Sequence, residues 1–324
     1  MAWHWIALCA AGGALALFLL AGFGVAVVGA FMITRCRHPK IRPDEERMRE
    51  INVAMGHVDF DAYDSWEKEP FTLQSQGAQL RCWYIPAKPE FASLPPKCLV
   101  RVHGFGVNHI TSVRYAAIFR ELGYSCVIYD QRSFGESTGI CSLGYFERQD
   151  LAAIVAWVRG RLGEGTLIGL HGESLGAITV LEGLDIVPDL AFAVSDSCST
   201  TVYDTFKAVT HLPAFPFLSA VNLWARLRHG ADLRTVRPID RVANSGVPIL
   251  FCHGTKDRPM PYQHSERLFA ASKNPLSRLE LFEGVWHTGG HMVETERYER
   301  AVREFVRAAE EAFEGTRRRA VEKA

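Results

Sequence analysis

The sequence lacks an excess of charge of either sign: 36 Lys+Arg stand against 36 Asp+Glu in 324 residues. Without a basic field there is nothing to draw in a polyanion, so nucleic acid is not an expected partner. There is no internal repeat and no low-complexity run, which sets aside solenoid and collagen-like chains. A disordered chain is excluded as well, because 48% of the residues are hydrophobic. None of the eight cysteines forms a CxxC pair or a Cys/His set with zinc spacing, so no metal site is expected, and Cys98, Cys126 and Cys252 read as reduced, buried thiols.

The longest absence lies at the start. From Trp5 to Thr34 there is no Asp, Glu, Lys, Arg or His. As a helix, the run Ile6 to Ile33 would measure about 42 Å against a hydrocarbon core of about 30 Å, so it can cross a bilayer. A signal peptide is the competing reading, but that would call for a basic start and a shorter apolar core. Residues 1–34 are therefore expected to form an uncleaved membrane anchor. Arg35, Arg37, Lys40, Arg42, Arg47 and Arg49 come after the run and no Lys or Arg precedes it. The positive-inside rule then predicts a single pass with the rest of the chain in the cytoplasm.

Beyond the anchor the chain divides into three parts. Residues 35–69 are charged and read as a basic juxtamembrane linker and domain edge, residues 70–313 as one catalytic domain, and residues 314–324 as a frayed basic tail. Strand-like runs at Phe71–Ser75, Leu80–Ile85, Cys98–Val102, Ser125–Tyr129, Thr166–Leu170, Ala191–Val194, Val247–Phe251 and Leu279–Phe282 alternate with helical patterns at Val113–Leu122, Glu147–Leu162 and Leu175–Leu184. Apolar strands separated by helices predict an α/β fold with a doubly wound, mostly parallel sheet. Chemistry in such sheets sits at the carboxyl ends of the strands.

Two pentapeptides fit Gly-x-Ser-x-Gly, centred on Ser137 and Ser174. A nucleophile elbow needs a strand running directly into a tight turn and then a helix, which lifts the hydroxyl above the sheet. Thr166–Leu170 leads straight into His171-Gly172-Glu173-Ser174, with a helical pattern after it; Ser137 has no such context and reads as a turn residue. A serine hydroxyl needs an imidazole to take its proton and a carboxylate to hold that ring. Asp257, in the loop after Val247–Phe251, is the expected acid, with Asp196 as runner-up. His287, first after the strand Leu279–Phe282, is the expected base in preference to His291. Val100 to Gly106 is a strand followed by a glycine-rich loop, placing the Phe105 N–H as one oxyanion donor and the Leu175 N–H as the second.

These motifs, His103-Gly104-Phe105-Gly106, Tyr129 to Ser137, His171 to Ala177, His253-Gly254-Thr255-Lys256-Asp257, and His287 with Tyr298 beyond it, resemble the α/β-hydrolase superfamily, in its bacterial branch of serine aminopeptidases, monoglyceride lipases and esterases. The resemblance covers about residues 70 to 313. It implies Ser174 as nucleophile, Asp257 as orienting acid and His287 as base. It identifies the machinery better than the substrate.

Residues 197–246 hold Phe206, Phe215, Phe217 and Trp224 without a clear strand, in the place where this superfamily inserts a cap; the equal alternative is that these aromatics simply pack a helical excursion onto the sheet. The expectation is a membrane-anchored serine hydrolase that cleaves small carboxylic esters, of acyl or lipid-like type, and needs no metal or organic cofactor. An aminopeptidase-like enzyme and a non-catalytic membrane tether are the rivals.

Overall fold

The computed structural model describes residues 2–34, 44–54, 58–210 and 213–321. Eight strands form one sheet: β1 (Glu69–Ser75), β2 (Ala78–Ile85), β3 (Lys97–Val102), β4 (Ser125–Tyr129), β5 (Leu167–Glu173), β6 (Leu190–Asp196), β7 (Ile249–Gly254) and β8 (Arg278–Phe282). Their order is β1-β2-β4-β3-β5-β6-β7-β8. The β1–β2 hairpin and the β2–β4 pair are antiparallel; every later pair is parallel. Each strand-like run of the sequence is a strand here, and the sheet is doubly wound and mostly parallel, as expected.

Twelve helices are described: α1 (Ala2–Thr34), α2 (Glu45–Ala54), α3 (Phe60–Ser65), α4 (Val113–Glu121), α5 (Glu147–Leu162), α6 (Leu175–Gly183), α7 (Val202–Thr210), α8 (Ser219–His229), α9 (Pro238–Asn244), α10 (Gln263–Ala271), α11 (Gly290–Val293) and α12 (Thr295–Val321). Strand alternation sends neighbouring side chains to opposite faces. Val100, Val127, Leu170 and Phe251 join one core with α5 and α6, whereas Leu99, Ile128, Val194 and Leu250 join the other with α4 and α12. Both faces of the sheet are thereby covered, which is why its central strands read as continuous apolar runs. On α5, Leu151, Ile154, Val155 and Val158 are buried, one helical face at i, i+3, i+4, i+7 spacing.

α1 contains a 22-residue stretch, Trp3–Gly24, long and apolar enough to cross a membrane. It runs beside α8 and leaves Trp3, Leu8, Leu17 and Phe23 exposed. Arg35, Arg37, Lys40 and Arg42, on which the orientation rests, lie outside the described residues. Two segments differ from expectation. The charged stretch read as a linker before β1 forms, among its described residues, α2 and α3, whose Met48, Asn52 and Tyr63 are buried. At the other end α12 runs unbroken to Val321 through the first residues of the expected tail. The cysteines of the strands are free and buried, and burial pushes the Cys126 thiol up to about 12.

The loop after β4 is tied down by charge. Arg132 and Asp150 of α5 are both buried and joined by two hydrogen bonds, Nε to Oδ2 at 2.7 Å and Nη2 to Oδ1 at 2.6 Å. Removing one partner leaves a buried charge unmatched. Arg132→Met is expected to cost about 3–5 kcal/mol, read from the urea midpoint, and Arg132→Met with Asp150→Leu to recover most of it.

Candidate active site

β5 ends at Glu173 and α6 begins at Leu175, so Ser174 is the only residue between strand and helix. Its backbone is left-handed, φ 53°, a conformation costly to a residue with a side chain. The turn survives because its flanks are glycines that let three backbones meet. A Cβ on Gly172 would fall 2.2 Å from the Gly176 carbonyl oxygen, and one on Gly176 would fall 2.1 Å from that of Val102. Ser174 N–H donates to the Asp196 carbonyl oxygen at 2.8 Å, fixing the turn to β6.

The half-buried Ser174 Oγ lies 2.9 Å from His287 Nε2. His287 Nδ1 lies 2.6 Å from Asp257 Oδ2. Carboxylates only accept, so Nδ1 carries the proton and Nε2 is left to accept from the Ser174 hydroxyl. The structure thus brings Ser174, Asp257 and His287 together. Asp257 is held from its other side by His253, at the end of β7, whose Nε2 lies 3.0 Å from Oδ2, and by the Met260 N–H, 2.8 Å from Oδ1. His253 Nε2 also faces the Met260 carbonyl and its Nδ1 faces Ser265 Oγ at 2.6 Å, so Nε2 is the donor. Burial opposes the Asp257 charge, but hydrogen bonds from His253, His287 and the Met260 N–H outweigh it and hold the carboxyl below its usual range.

The alternatives lie elsewhere. His291 is buried against Tyr115 and Tyr298. Asp196 makes its side-chain hydrogen bond with the neighbouring Ser197, Oγ to Oδ1 at 3.0 Å, and burial beside the Glu173 charge raises it to about 6. Ser137 Oγ accepts from Arg81 N–H at 2.8 Å and donates to the Asp130 carbonyl at 2.6 Å, stapling the hairpin to the β4 loop.

Gly104, at the start of the loop after β3, packs on Ser174, its Cβ position 3.5 Å from the serine Cβ. Phe105 is next on that loop, and Leu175 opens α6. Among the described residues neither of their N–H groups has an acceptor. The loop is anchored by His103, fully buried, which donates from Nδ1 to the Gly104 carbonyl at 2.7 Å and accepts the Gln131 N–H on Nε2 at 2.8 Å. Burial pulls its pKa down to about 4.

Sequence reading missed what surrounds Glu173. Its carboxylate lies 3.1 Å from Arg101 Nη2, 3.0 Å from Arg114 Nη2 and 3.1 Å from the Tyr115 hydroxyl. Burial opposes its charge, but the two guanidinium groups prevail and its pKa falls to about 2. A strand arginine in an otherwise apolar run, Val100-Arg101-Val102, was the available signal, since a buried cation demands a buried anion.

A cavity of about 780 Å³ opens over Ser174 and His287. Its lining comes from α2, from the loop after β3, and from Arg114, Glu173, Thr288 and Met292. Among the described residues, none of 197–246 lines it. Among the described residues no group of three or more His, Cys, Asp or Glu could hold a metal ion.

A family model described as X-Pro dipeptidyl-peptidase (S15 family) matches residues 61–218. The uncharacterized protein YqkD of Bacillus subtilis is 28% identical over 260 residues, covering 78% of this chain and 83% of that protein. Among solved structures, the esterase Pf2001 of Pyrococcus furiosus superposes with a TM-score of 0.62 at 21% identity, covering 78% of this chain and 96% of that one. A monoacylglycerol lipase of Paleococcus ferrophilus gives 0.53 at 20% identity, covering 71% and 99%.

The neutral His103 and the doubly bonded Ser137 each lead to a measurable outcome. The unfolded state takes up a proton on His103 near pH 6.5 and the folded state only near 4. Stability is therefore full above about pH 6.5 and falls as the pH drops toward 4, by about 3 kcal/mol for this group. Urea midpoints measured across this window should fall steadily with acid, and His103→Gln, with no proton to take up, should flatten the slope. Ser137→Ala leaves the Arg81 N–H unsatisfied and is expected to cost about 1–3 kcal/mol, measured the same way.

Proposed function

We propose that this chain, which has the α/β-hydrolase fold, is a membrane-anchored serine hydrolase that cleaves carboxylic esters through an acyl-enzyme. The observation that carries the reading is the continuous contact from hydroxyl to imidazole to carboxylate, 2.9 Å and then 2.6 Å. Ser174 Oγ attacks the ester carbonyl while its proton passes to His287 Nε2. Asp257 keeps the ring in the tautomer that can accept and stabilises the imidazolium. The unclaimed N–H groups of Phe105 and Leu175 take the charge on the carbonyl oxygen. The imidazolium then protonates the departing alkoxide, and water, deprotonated by the same ring, releases the acid.

The chemistry of the cavity favours esters over amino-terminal peptides. An aminopeptidase needs a free carboxylate to hold the substrate ammonium. Among the described residues the acid lining this cavity is Glu173, and its oxygens already face Arg101, Arg114 and Tyr115. The lining offers instead Met48, Ile51, Phe105, Val107 and Met292, surfaces suited to an acyl or other apolar group. We read α1 as the anchor, since its exposed apolar side chains find no cover in water, and the basic residues after it as cytoplasmic.

A fluorophosphonate probe tests the catalytic part. Wild type and Ser137→Ala should be labelled and Ser174→Ala should not; a folded, unlabelled wild type overturns the reading. Asp257→Asn is expected to lower kcat for ester hydrolysis by about 10⁴-fold. Carbonate washing of membranes tests the anchor: the full-length chain should stay in the pellet with residues 1–34 still attached by mass.

A further inference from the structure

One wall of the cavity is built by α2, a helix that precedes β1 in the chain. It contributes Arg47, Met48 and Ile51 to the lining. Met48 is buried, while Ile51 is half-buried. The helix is not loosely laid there. Arg49 makes two hydrogen bonds to Asp64 near the end of α3, 3.0 Å and 2.8 Å, and its guanidinium sits 4.9 Å from the Phe60 ring. At its first turn, Glu45 Oε2 lies 3.7 Å from His109 Nε2, and His109 Nδ1 lies 2.9 Å from Asp130 Oδ1. These ties clamp α2 against the short helical turn 109–112 that comes after the oxyanion loop.

Which part of an ester meets this wall is decided by where the proton goes. The leaving alkoxide is protonated by His287 Nε2, so it departs beside His287 and the residues that flank it, Thr288 and Met292. The carbonyl oxygen points at the Phe105 and Leu175 N–H groups. The acyl chain is left the rest of the apolar lining, Phe105, Val107, Met48 and Ile51. The geometry points to α2 as the acyl-binding wall, with Met48 and Ile51 setting the length of acyl chain the enzyme accepts. Met is unbranched and adapts its shape to a chain lying against it. This assignment rests on the serine-hydrolase reading above and adds to it the side and the residues that select substrate.

The test uses the full-length chain in detergent micelles and p-nitrophenyl esters from acetate to decanoate. Its readout is the ratio of kcat/KM for decanoate over acetate, which does not depend on how much of a preparation is folded. Shortening the wall with Met48→Ala should raise that ratio about tenfold over wild type, and filling the space with Ile51→Trp should lower it about tenfold, the discrimination that a few methylenes in an apolar pocket provide. A second series, acetate esters of alcohols of graded length, should show the same ratio in all three proteins. If both variants are labelled by fluorophosphonate and keep the wild-type acyl ratio, or if the alcohol series shifts instead, the assignment of α2 is overturned while the hydrolase reading stands. A folded wild type that takes no label overturns both.

Discussion

The close approach of three backbones at Gly172, Gly176 and Val102 is the constraint on which the site depends. It draws α6 against β3 and bends the chain sharply enough to hold Ser174 in a left-handed conformation, φ 53°. A side chain at either glycine would drive the helix away from the strand. The serine would then relax to an ordinary turn and its hydroxyl would leave the reach of His287. The cost of the strained residue is met by the packed sheet around it, since β5 is buried along its whole length.

Around that turn, buried polar groups hold one another in place. His253 serves Asp257 from behind, so the carboxylate that orients His287 is itself oriented. Arg101 and Arg114 neutralise Glu173 directly beneath the serine. His103 bridges the Gly104 carbonyl and the Gln131 N–H. The His103 contacts hold the loop after β3 beside the turn that carries Ser174, and with it the Phe105 N–H relative to the Leu175 N–H.

Much of this was legible in the chain because the physics is local. A parallel sheet covered on both faces must be apolar throughout, so its strands stand out as runs such as Ser125–Tyr129, whose bounds coincide with β4. Ser174 was separable from Ser137 because only one of them has a strand before it and a helix after it. The proximity of His287 and Asp257 could be read from both lying just past neighbouring strands. The parts that stayed hidden depend on contacts far apart in sequence. The decapeptide Glu45–Ala54 carries five charged residues, and among its described residues only Met48 and Asn52, one turn apart, are buried; with Ile51 half-buried beside them, that is too little apolar signal to announce a helix, let alone a cavity wall. The aromatic segment 197–246 carried a stronger hydrophobic signal that fitted a cap and a helical excursion onto the sheet equally well, and its buried residues, Leu218, Val221 and Ala225 among them, pack into the core on the α5–α6 side of the sheet.

Nine residues separate the end of α1 from Asp44, and a stretch of that size reaches at most about 35 Å when drawn out straight. On the reading of α1 as a bilayer-spanning anchor, the helix that walls the cavity is leashed to the lipid surface. Turnover would then track the two-dimensional density of substrate in the leaflet, its mole fraction among the lipids, more than its molarity in bulk water. Diluting the membrane with inert lipid would slow such an enzyme even when the total amount of substrate is unchanged.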